Sequence, residues 1–316
     1  MSRVLINFEL PDNYLQRLEK DHPSMEWVRC TERAKQLELL KDTEVLMTFY
    51  QCSRKMLDAA PKLKWVQAIS AGVDYIPLEE IGRRGILLTN GRGIHKIHMA
   101  EYAIAAMINL ARSFHLMFRN QLQKKWDRSV PQQEVYGAVV GILGLGAIGG
   151  EIARKAAFMG MRVLGVKRTP APMDHVDEVF GPEHMDTVFK QSDYIINLLP
   201  YTPATENMID RRFFDLMKPS AGFINIGRGQ TVNETDLIDA LRSRKINALV
   251  SDVYFAEPLP EQSPLWELDN VILTPHVCGA SPQYMARAME IIEHNLKVHL
   301  TGKGVMINRV DVRSGY

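Results

Sequence analysis

One stretch restricts what this chain can fold into more than any other. Residues 139–170 read VVGILGLGAIGGEIARKAAFMGMRVLGVKRTP. An apolar run leads into Gly144-x-Gly146-x-x-Gly149, a helical pattern follows, and a second apolar run ends at Val166. Strand, glycine turn, helix and strand in that order form a βαβ unit of the dinucleotide-binding kind. The first glycine permits the tight turn. The second lets the backbone approach a pyrophosphate, and the third lets helix and strand pack closely. The start of the helix adds unpaired N–H groups and a partial positive charge facing the phosphates.

The end of the second strand bears on which dinucleotide binds. A carboxylate there would hydrogen-bond both ribose hydroxyls of NAD. This chain has Lys167, Arg168 and Thr169 instead. An ammonium and a guanidinium attract a 2′-phosphate that a carboxylate would repel, and Arg168 can grip it with two parallel hydrogen bonds. Thr169 adds a hydroxyl donor. The expected cofactor is therefore NADP(H), with NAD(H) as the alternative.

The rest of the chain alternates strand and helix patterns. RVLINFEL, EVLMTFY, KWVQAIS and ILLTN read as buried strands before residue 91, and YIINLLP, GFINIG, ALVSDV and VILTP after residue 193. Such alternation implies parallel sheets with helices on both faces. Met99 to Trp126 reads as one long helix, apolar nearly all round in its first half. A last helical stretch from Ser281 ends at Gly302. The fold class expected is α/β: a flavodoxin-like and a dinucleotide-binding Rossmann-like domain, both with parallel sheets, and an active site in the cleft between them. Residues 1–98 and 288–316 would form the substrate-binding domain. Residues 99–287 would form an inserted cofactor domain, with helices near Met99 and Ala288 as the crossings.

Bulk properties exclude other classes. Thirty-eight basic against thirty-seven acidic residues leave a net charge of +1, so nothing points to nucleic acid or anionic lipid. Three cysteines without metal spacing suit a reducing, cytoplasmic setting. The N-terminus carries charge within ten residues, and the most apolar run is too short and glycine-rich for a membrane span, so neither a targeting segment nor a bilayer crossing is expected.

Three ionisable residues follow strand patterns of the second half: Arg228 after GFINIG, Glu257 a few residues after ALVSDV, and His276 after VILTP. In doubly wound sheets, ligands bind outside the carboxyl ends of the strands. Together the three suit the reduction of a 2-keto acid. His276 would protonate the carbonyl oxygen as hydride arrives at carbon. Glu257 would orient the imidazole and favour its charged form. Arg228 would bind the substrate carboxylate and polarise the carbonyl. Its flanking Gly227 and Gly229 would let backbone come close to a ligand.

At this point the chain is identified as similar to the D-2-hydroxyacid dehydrogenase family over nearly its whole length. The stretches that match are SAGVD, MAEY, GLGAIG, LLPYTPATENMID, INIGRGQTVNE, SDVYFAEPLP and TPHVCGASPQY, in order and spacing. The resemblance implies Arg228, Glu257 and His276 in the roles above, and substrate carboxylate binding by the N–H groups of Gly72 and Val73. It implies Ala147 and Ile148 under the pyrophosphate, and Pro200, Thr205, Ile226, Gly227 and Gly279 along the cofactor. Asp252 would contact the nicotinamide amide or the network beside it. A D-hydroxy acid product and a homodimer embraced through the long helix and the segment after it are also implied. Lys167 stands where NAD-binding members carry an acid, which resembles the NADP-preferring glyoxylate/hydroxypyruvate reductase branch. The rival readings are an NAD-linked hydroxyacid or phosphoglycerate-type dehydrogenase, and a cofactor-sensing binding protein similar to the corepressors of this fold.

Three other features have lesser roles. His95, His98 and Glu101 lie close in sequence, but no further ligands are evident and the two histidines do not form a zinc spacing, so no metal is expected. Cys278 reads as a packing residue rather than a nucleophile. Phe49 and Tyr50 could wall a substrate pocket or belong to the core.

Overall fold

The computed structural model describes residues 2–312. The chain divides into two compact units, Met1–Ile94 with Pro282–Tyr316, and His95–Ser281. The divisions fall a few residues ahead of positions 98 and 287, in the turns before two helices and not within them.

The first unit begins β1 (Ser2–Ile6), α1 (Asp12–Asp21), β2 (Met25–Arg29), α2 (Arg33–Leu40) and β3 (Thr43–Thr48). It continues α3 (Arg54–Asp58), β4 (Trp65–Ala68), α4 (Leu78–Arg83) and β5 (Leu87–Thr89). The strands form one sheet in the order β2-β1-β3-β4-β5, all parallel. Alternate residues serve opposite faces. Val4, Ile6, Val45, Met47 and Trp65 pack against Ala288, Met289, Ile292 and Leu296 of the return helix Tyr284–Thr301. Leu5, Leu46, Val66 and Leu88 pack against Leu40, Leu57 and Ile81. Burial on both faces is why these strands read as unbroken apolar runs. The edge strand β2, with sequence MEWVR and two partly buried residues beside two exposed ones, lacks that signature.

The second unit opens with α5 (Lys96–Ala111) and α6 (Phe114–Leu122), then β6 (Val139–Leu143), α7 (Ala147–Phe158), β7 (Arg162–Val166) and β8 (Glu178–Phe180). Next come α8 (Met185–Gln191), β9 (Tyr194–Asn197), α9 (Arg211–Leu216), β10 (Gly222–Asn225), α10 (Glu234–Arg242), β11 (Ala248–Ser251) and β12 (Val271–Leu273). Seven parallel strands follow the order β12-β11-β10-β9-β6-β7-β8. The order reverses between β6 and β9, which makes the carboxyl end of that pair the switch point where ligands of such sheets bind.

The single helix expected over Met99–Trp126 is two. Ser113 takes a left-handed conformation, φ 50°, and its hydroxyl donates to the Pro131 carbonyl at 2.7 Å. That partner, eighteen residues on, is invisible to a periodicity argument. α5 explains the all-round apolar pattern: Ala100, Ala103 and Met107 are buried in the core with Ile152, Ala153 and Ala156 of α7. Leu110 fills the space above Gly222, where an added Cβ would come within 2.6 Å of its Cδ1. α6 contributes no buried residue, and Phe118, Leu122 and Trp126 are mostly exposed. No helix among the described residues is long and apolar enough to cross a membrane.

Candidate active site

The second sheet delivers its loops from one straight edge. Val166 pairs with Leu143, Leu143 with Asn197, Asn197 with Asn225, Asn225 with Ser251, and Ser251 with Leu273. These are the last residues of their strands, so the glycine turn, the basic turn and the loops carrying Arg228, Asp252 and His276 all leave from one row.

At the switch point each glycine has its own reason. Gly144 has φ 109°, which a side chain would strain. A Cβ on Gly149 would come within 2.2 Å of the Gly144 carbonyl oxygen, so helix and strand meet backbone to backbone. Gly146 is exposed, and an added Cβ there meets nothing within 4 Å. It caps α7, so the N–H groups of exposed Ala147 and half-buried Ile148 open a helix N-terminus toward that free space. This cradle fits a dinucleotide pyrophosphate.

The basic turn lies alongside. The Val166 carbonyl accepts hydrogen bonds from Gly144 N–H at 3.0 Å and Leu145 N–H at 3.2 Å. Lys167, Arg168 and Thr169 follow directly and are exposed. Among the described residues none of their side chains has a hydrogen-bond or ion-pair partner.

On the other side of the switch point the loops are densely tied. Fully buried Asn197 donates through Nδ2 to Asn225 Oδ1 at 3.0 Å and Thr231 Oγ1 at 2.8 Å, and accepts from Leu199 N–H at 3.1 Å. Thr231 donates to the Arg228 carbonyl at 2.7 Å, which fixes the arginine's backbone. The glycines flanking Arg228 each have a packing reason. A Cβ on Gly227 would meet the Leu199 carbonyl oxygen at 2.8 Å, and one on Gly229 the Tyr254 backbone at 1.9 Å.

Beyond β11, Asp252 is fully buried. Its Oδ1 accepts from Thr274 Oγ1 at 2.5 Å and Val277 N–H at 2.9 Å, and its Oδ2 from Cys278 N–H at 2.9 Å. The carboxylate thus holds the His276 loop from both ends. Tyr102 Oη lies 2.6 Å from Thr274 Oγ1, and Tyr254 Oη is within reach of both the Ser251 and Thr274 carbonyls. His276 itself is left-handed, φ 53°, a conformation that persists because this network over-determines the loop.

The structure brings Glu257 to His276: Oε2 lies 2.7 Å from Nδ1. A carboxylate beside Nδ1 keeps the proton there and leaves Nε2 for exchange with a substrate. The other carboxylate oxygen accepts from Tyr254 N–H at 3.0 Å, so the orienting group is itself anchored. His276 and Glu257 remain partly exposed, with side-chain exposures of 49% and 35%. Arg228 Nη1 donates to the Gly227 carbonyl at 2.9 Å. His95 is held neutral, its pKa pushed down to about 4 by burial, His98 and Arg228. His98 Nε2 lies 3.0 Å from the Gly279 carbonyl, and a Cβ on Gly279 would touch the His95 ring at 3.4 Å. Burial and Asp252 push the buried Cys278 thiol up, which keeps it protonated in the core.

Other residues named from the sequence have structural duties. The Thr205 hydroxyl donates to the Pro200 carbonyl at 2.6 Å and closes that turn. The Ile226 side chain is buried in the hydrophobic core, so only its main chain is left to line a cofactor site. Asn197, Asn225 and Thr231 were not singled out in the sequence, where nothing marks a buried polar side chain as different from a surface one.

In the first unit, the loop after β4 carries Gly72 and Val73. The Ala71 carbonyl accepts from Asn90 Nδ2 at 2.7 Å, and the Gly72 carbonyl from Ser70 Oγ at 2.8 Å. A planar trans peptide points N–H opposite to C=O. Anchoring those two carbonyls therefore turns the Gly72 and Val73 N–H groups the other way. Among the described residues neither N–H has a protein acceptor.

Comparison with known proteins places the chain in a family. Residues 104–278 match the model of the D-isomer specific 2-hydroxyacid dehydrogenase NAD-binding domain. A glyoxylate reductase from Pyrococcus furiosus is 33% identical over 310 residues, covering 93% of this chain and 91% of that protein. A D-3-phosphoglycerate dehydrogenase from Methanocaldococcus jannaschii is 31% identical over 309 residues, covering 96% of this chain and 58% of that protein. Among solved structures, an NADPH-dependent glyoxylate/hydroxypyruvate reductase from Sinorhizobium meliloti, in complex with NADP and sulfate, superposes with a TM-score of 0.86. Its identity is 26%, and each chain is covered completely. The chain belongs to the D-isomer specific 2-hydroxyacid dehydrogenase family and is an NAD(P)-dependent oxidoreductase.

Proposed function

We propose that this enzyme reduces a small 2-keto acid to the D-2-hydroxy acid with NADPH. The observation that carries the reading is the pairing of Glu257 with His276 on the edge that also bears the glycine cradle. Strands lie about 4.8 Å apart, so the basic turn sits ~5 Å to one side of the cradle and the β10 loop with Arg228 ~10 Å to the other. A dinucleotide laid along this edge has its 2′-phosphate at Lys167, Arg168 and Thr169 and its reactive end toward Arg228 and His276. Bound NADPH supplies the hydride.

The chain's own groups do the rest. His276 donates the proton from Nε2 to the carbonyl oxygen as that oxygen gains charge. Glu257 fixes the orientation of the ring. Arg228 binds the substrate carboxylate and polarises the carbonyl. The Gly72 and Val73 N–H groups are the carboxylate donors that the first unit offers. Asp252 acts by holding the His276 loop. The names of the relatives and the NADP in the Sinorhizobium structure support this reading. Lys167 and Arg168 favour it over an NAD-linked, phosphoglycerate-type activity.

The test is NADPH and NADH oxidation with glyoxylate, hydroxypyruvate and phenylpyruvate. Turnover of at least one keto acid, faster with NADPH, is expected. No turnover with either coenzyme favours the cofactor-sensing binding protein. We further propose a homodimer that covers Phe118, Leu122 and Trp126, which are 58%, 85% and 93% exposed. Leu122→Asp with Trp126→Asp should convert dimer to monomer in light scattering. A wild-type monomer contradicts this part.

A further inference from the structure

The loop that carries Glu257 has little of its own to hold it. Among the described residues, 253–259 make no hydrogen bond from main chain to main chain. Phe255, Ala256, Glu257 and Pro258 are exposed. Yet the Glu257 carboxylate sits 2.7 Å from His276 Nδ1 with both side chains open to water. A stretch without ladder hydrogen bonds keeps a fixed shape only where side chains supply them.

Two such side chains come from the segment that follows Arg228. Gln230 Nε2 donates to the Phe255 carbonyl at 3.0 Å, and Glu234 Oε2 accepts from the Phe255 N–H at 3.3 Å. Together they grip both polar groups of Phe255, two residues before Glu257. Gly229 closes the seam, since a Cβ there would also come within 2.6 Å of the Phe255 nitrogen. Gln230 is itself rooted. Its carbonyl accepts from Asn207 N–H at 2.9 Å, and its neighbour Thr231 is tied to the Arg228 carbonyl and to Asn197. Glu234 opens α10 beside the Asn233 cap, whose side chain accepts from Asp236 N–H at 3.1 Å. The clasp therefore has a firm base on the Arg228 side and holds a loop that lacks one.

We infer that Gln230 and Glu234 are positioning residues: they join the loop of the proton-donating pair to the loop of the substrate-binding arginine, and so keep Glu257 against His276. The inference rests on the reductase reading above and adds the residues that hold its parts in register. Tyr254 supports the same loop through Oη, but its partners are the Ser251 and Thr274 carbonyls and give no link to Arg228. Releasing Phe255 frees Glu257 to leave the imidazole. Misaligned proton transfer costs rate. Carboxylate binding at Arg228, whose main chain is tied independently, is left alone.

The experiment is a double-mutant cycle read in kcat and KM, with NADPH and whichever of glyoxylate, hydroxypyruvate and phenylpyruvate the wild type turns over fastest. Gln230→Met with Glu234→Met should lower kcat by about tenfold and leave KM for the keto acid within about threefold. In a Glu257→Ala enzyme, where the clasp has nothing left to position, the same pair should lower kcat by less than about twofold. Glu234→Gln, which keeps an acceptor for the Phe255 N–H, should retain at least about half of the wild-type kcat. Gln230→Glu, which turns an acceptor toward the Phe255 carbonyl, serves if the paired variant does not fold. Alone it should cost about fivefold in kcat, and less than about twofold beside Glu257→Ala. An unchanged kcat, an equal loss with and without Glu257, a loss confined to KM, or a Glu234→Gln enzyme as slow as the paired variant overturns the inference. Wild-type turnover with such a result leaves the reductase standing. No turnover of any keto acid by the wild type removes the reductase reading and this inference together.

Discussion

The two sides of the glycine turn are built on opposite plans. Beyond β7, the side chains of Lys167 and Arg168 lie in solvent with no hydrogen-bond or ion-pair partner among the described residues. Beyond β11 and β12, one buried carboxylate engages three donors, a second carboxylate fixes the imidazole, and the histidine sits in a strained backbone state. The contrast suits the tasks proposed for the two sides. Recognising a dianionic phosphate needs charge within reach, and long solvated side chains adapt to it. Proton transfer needs donor and acceptor within hydrogen-bond distance and correctly aimed, and a rigid network supplies that. One side should therefore tolerate substitution at the level of fold and change specificity. The other should lose rate and stability together.

The largest effect should come from His276→Ala, which lowers turnover on the order of 10³-fold while NADPH affinity changes little. An unchanged rate places the proton donor elsewhere. Next, Asp252→Asn replaces an acceptor of three hydrogen bonds with a group that brings its own donors. Stability in denaturant titrations should fall by about 2–4 kcal/mol, with a matching loss of rate. Wild-type stability here would show that the loop holds without its anchor.

On the other side, Lys167→Asp with Arg168→Ala should move the NADPH-to-NADH preference by about ten- to a hundredfold and leave thermal stability within about 0.5 kcal/mol. A fixed coenzyme ratio removes these residues from phosphate recognition. The smallest effect concerns His95, packed under the tied loop at Gly279. Its folded pKa of about 4 lies below the ordinary 6.5, so the unfolded chain binds the proton first as pH falls. The stability present above pH 6.5 is lost between there and pH 4, by roughly 1–3 kcal/mol. His95→Gln should flatten that part of the pH–stability curve. An unaltered slope assigns the acid sensitivity to other groups.

The same division decided what the sequence disclosed. The solvated side was legible: Gly144, Gly146 and Gly149 sit at fixed spacing, and the charge after Val166 needs no tertiary partner to be noticed. Arg228, Glu257 and His276 were legible as strand-end residues, because a parallel sheet sends every such loop to one edge. The means of holding them was not. Asp252 draws its donors from residues 22 to 26 positions away, and Asn197 binds partners 28 and 34 positions away. No local pattern encodes such pairings. The break at Ser113 escaped for the same reason. The edge strands β2 and β8 escaped because their exposed charged residues leave them without a continuous apolar run.

The central claim, that the held imidazole supplies the proton, is tested most directly by adding imidazole to the His276→Ala enzyme and following single-turnover oxidation of NADPH by a keto acid. A saturable recovery of at least about tenfold is expected, because the vacated position faces solvent and admits a small base. A variant that binds NADPH normally yet does not respond to imidazole contradicts the claim.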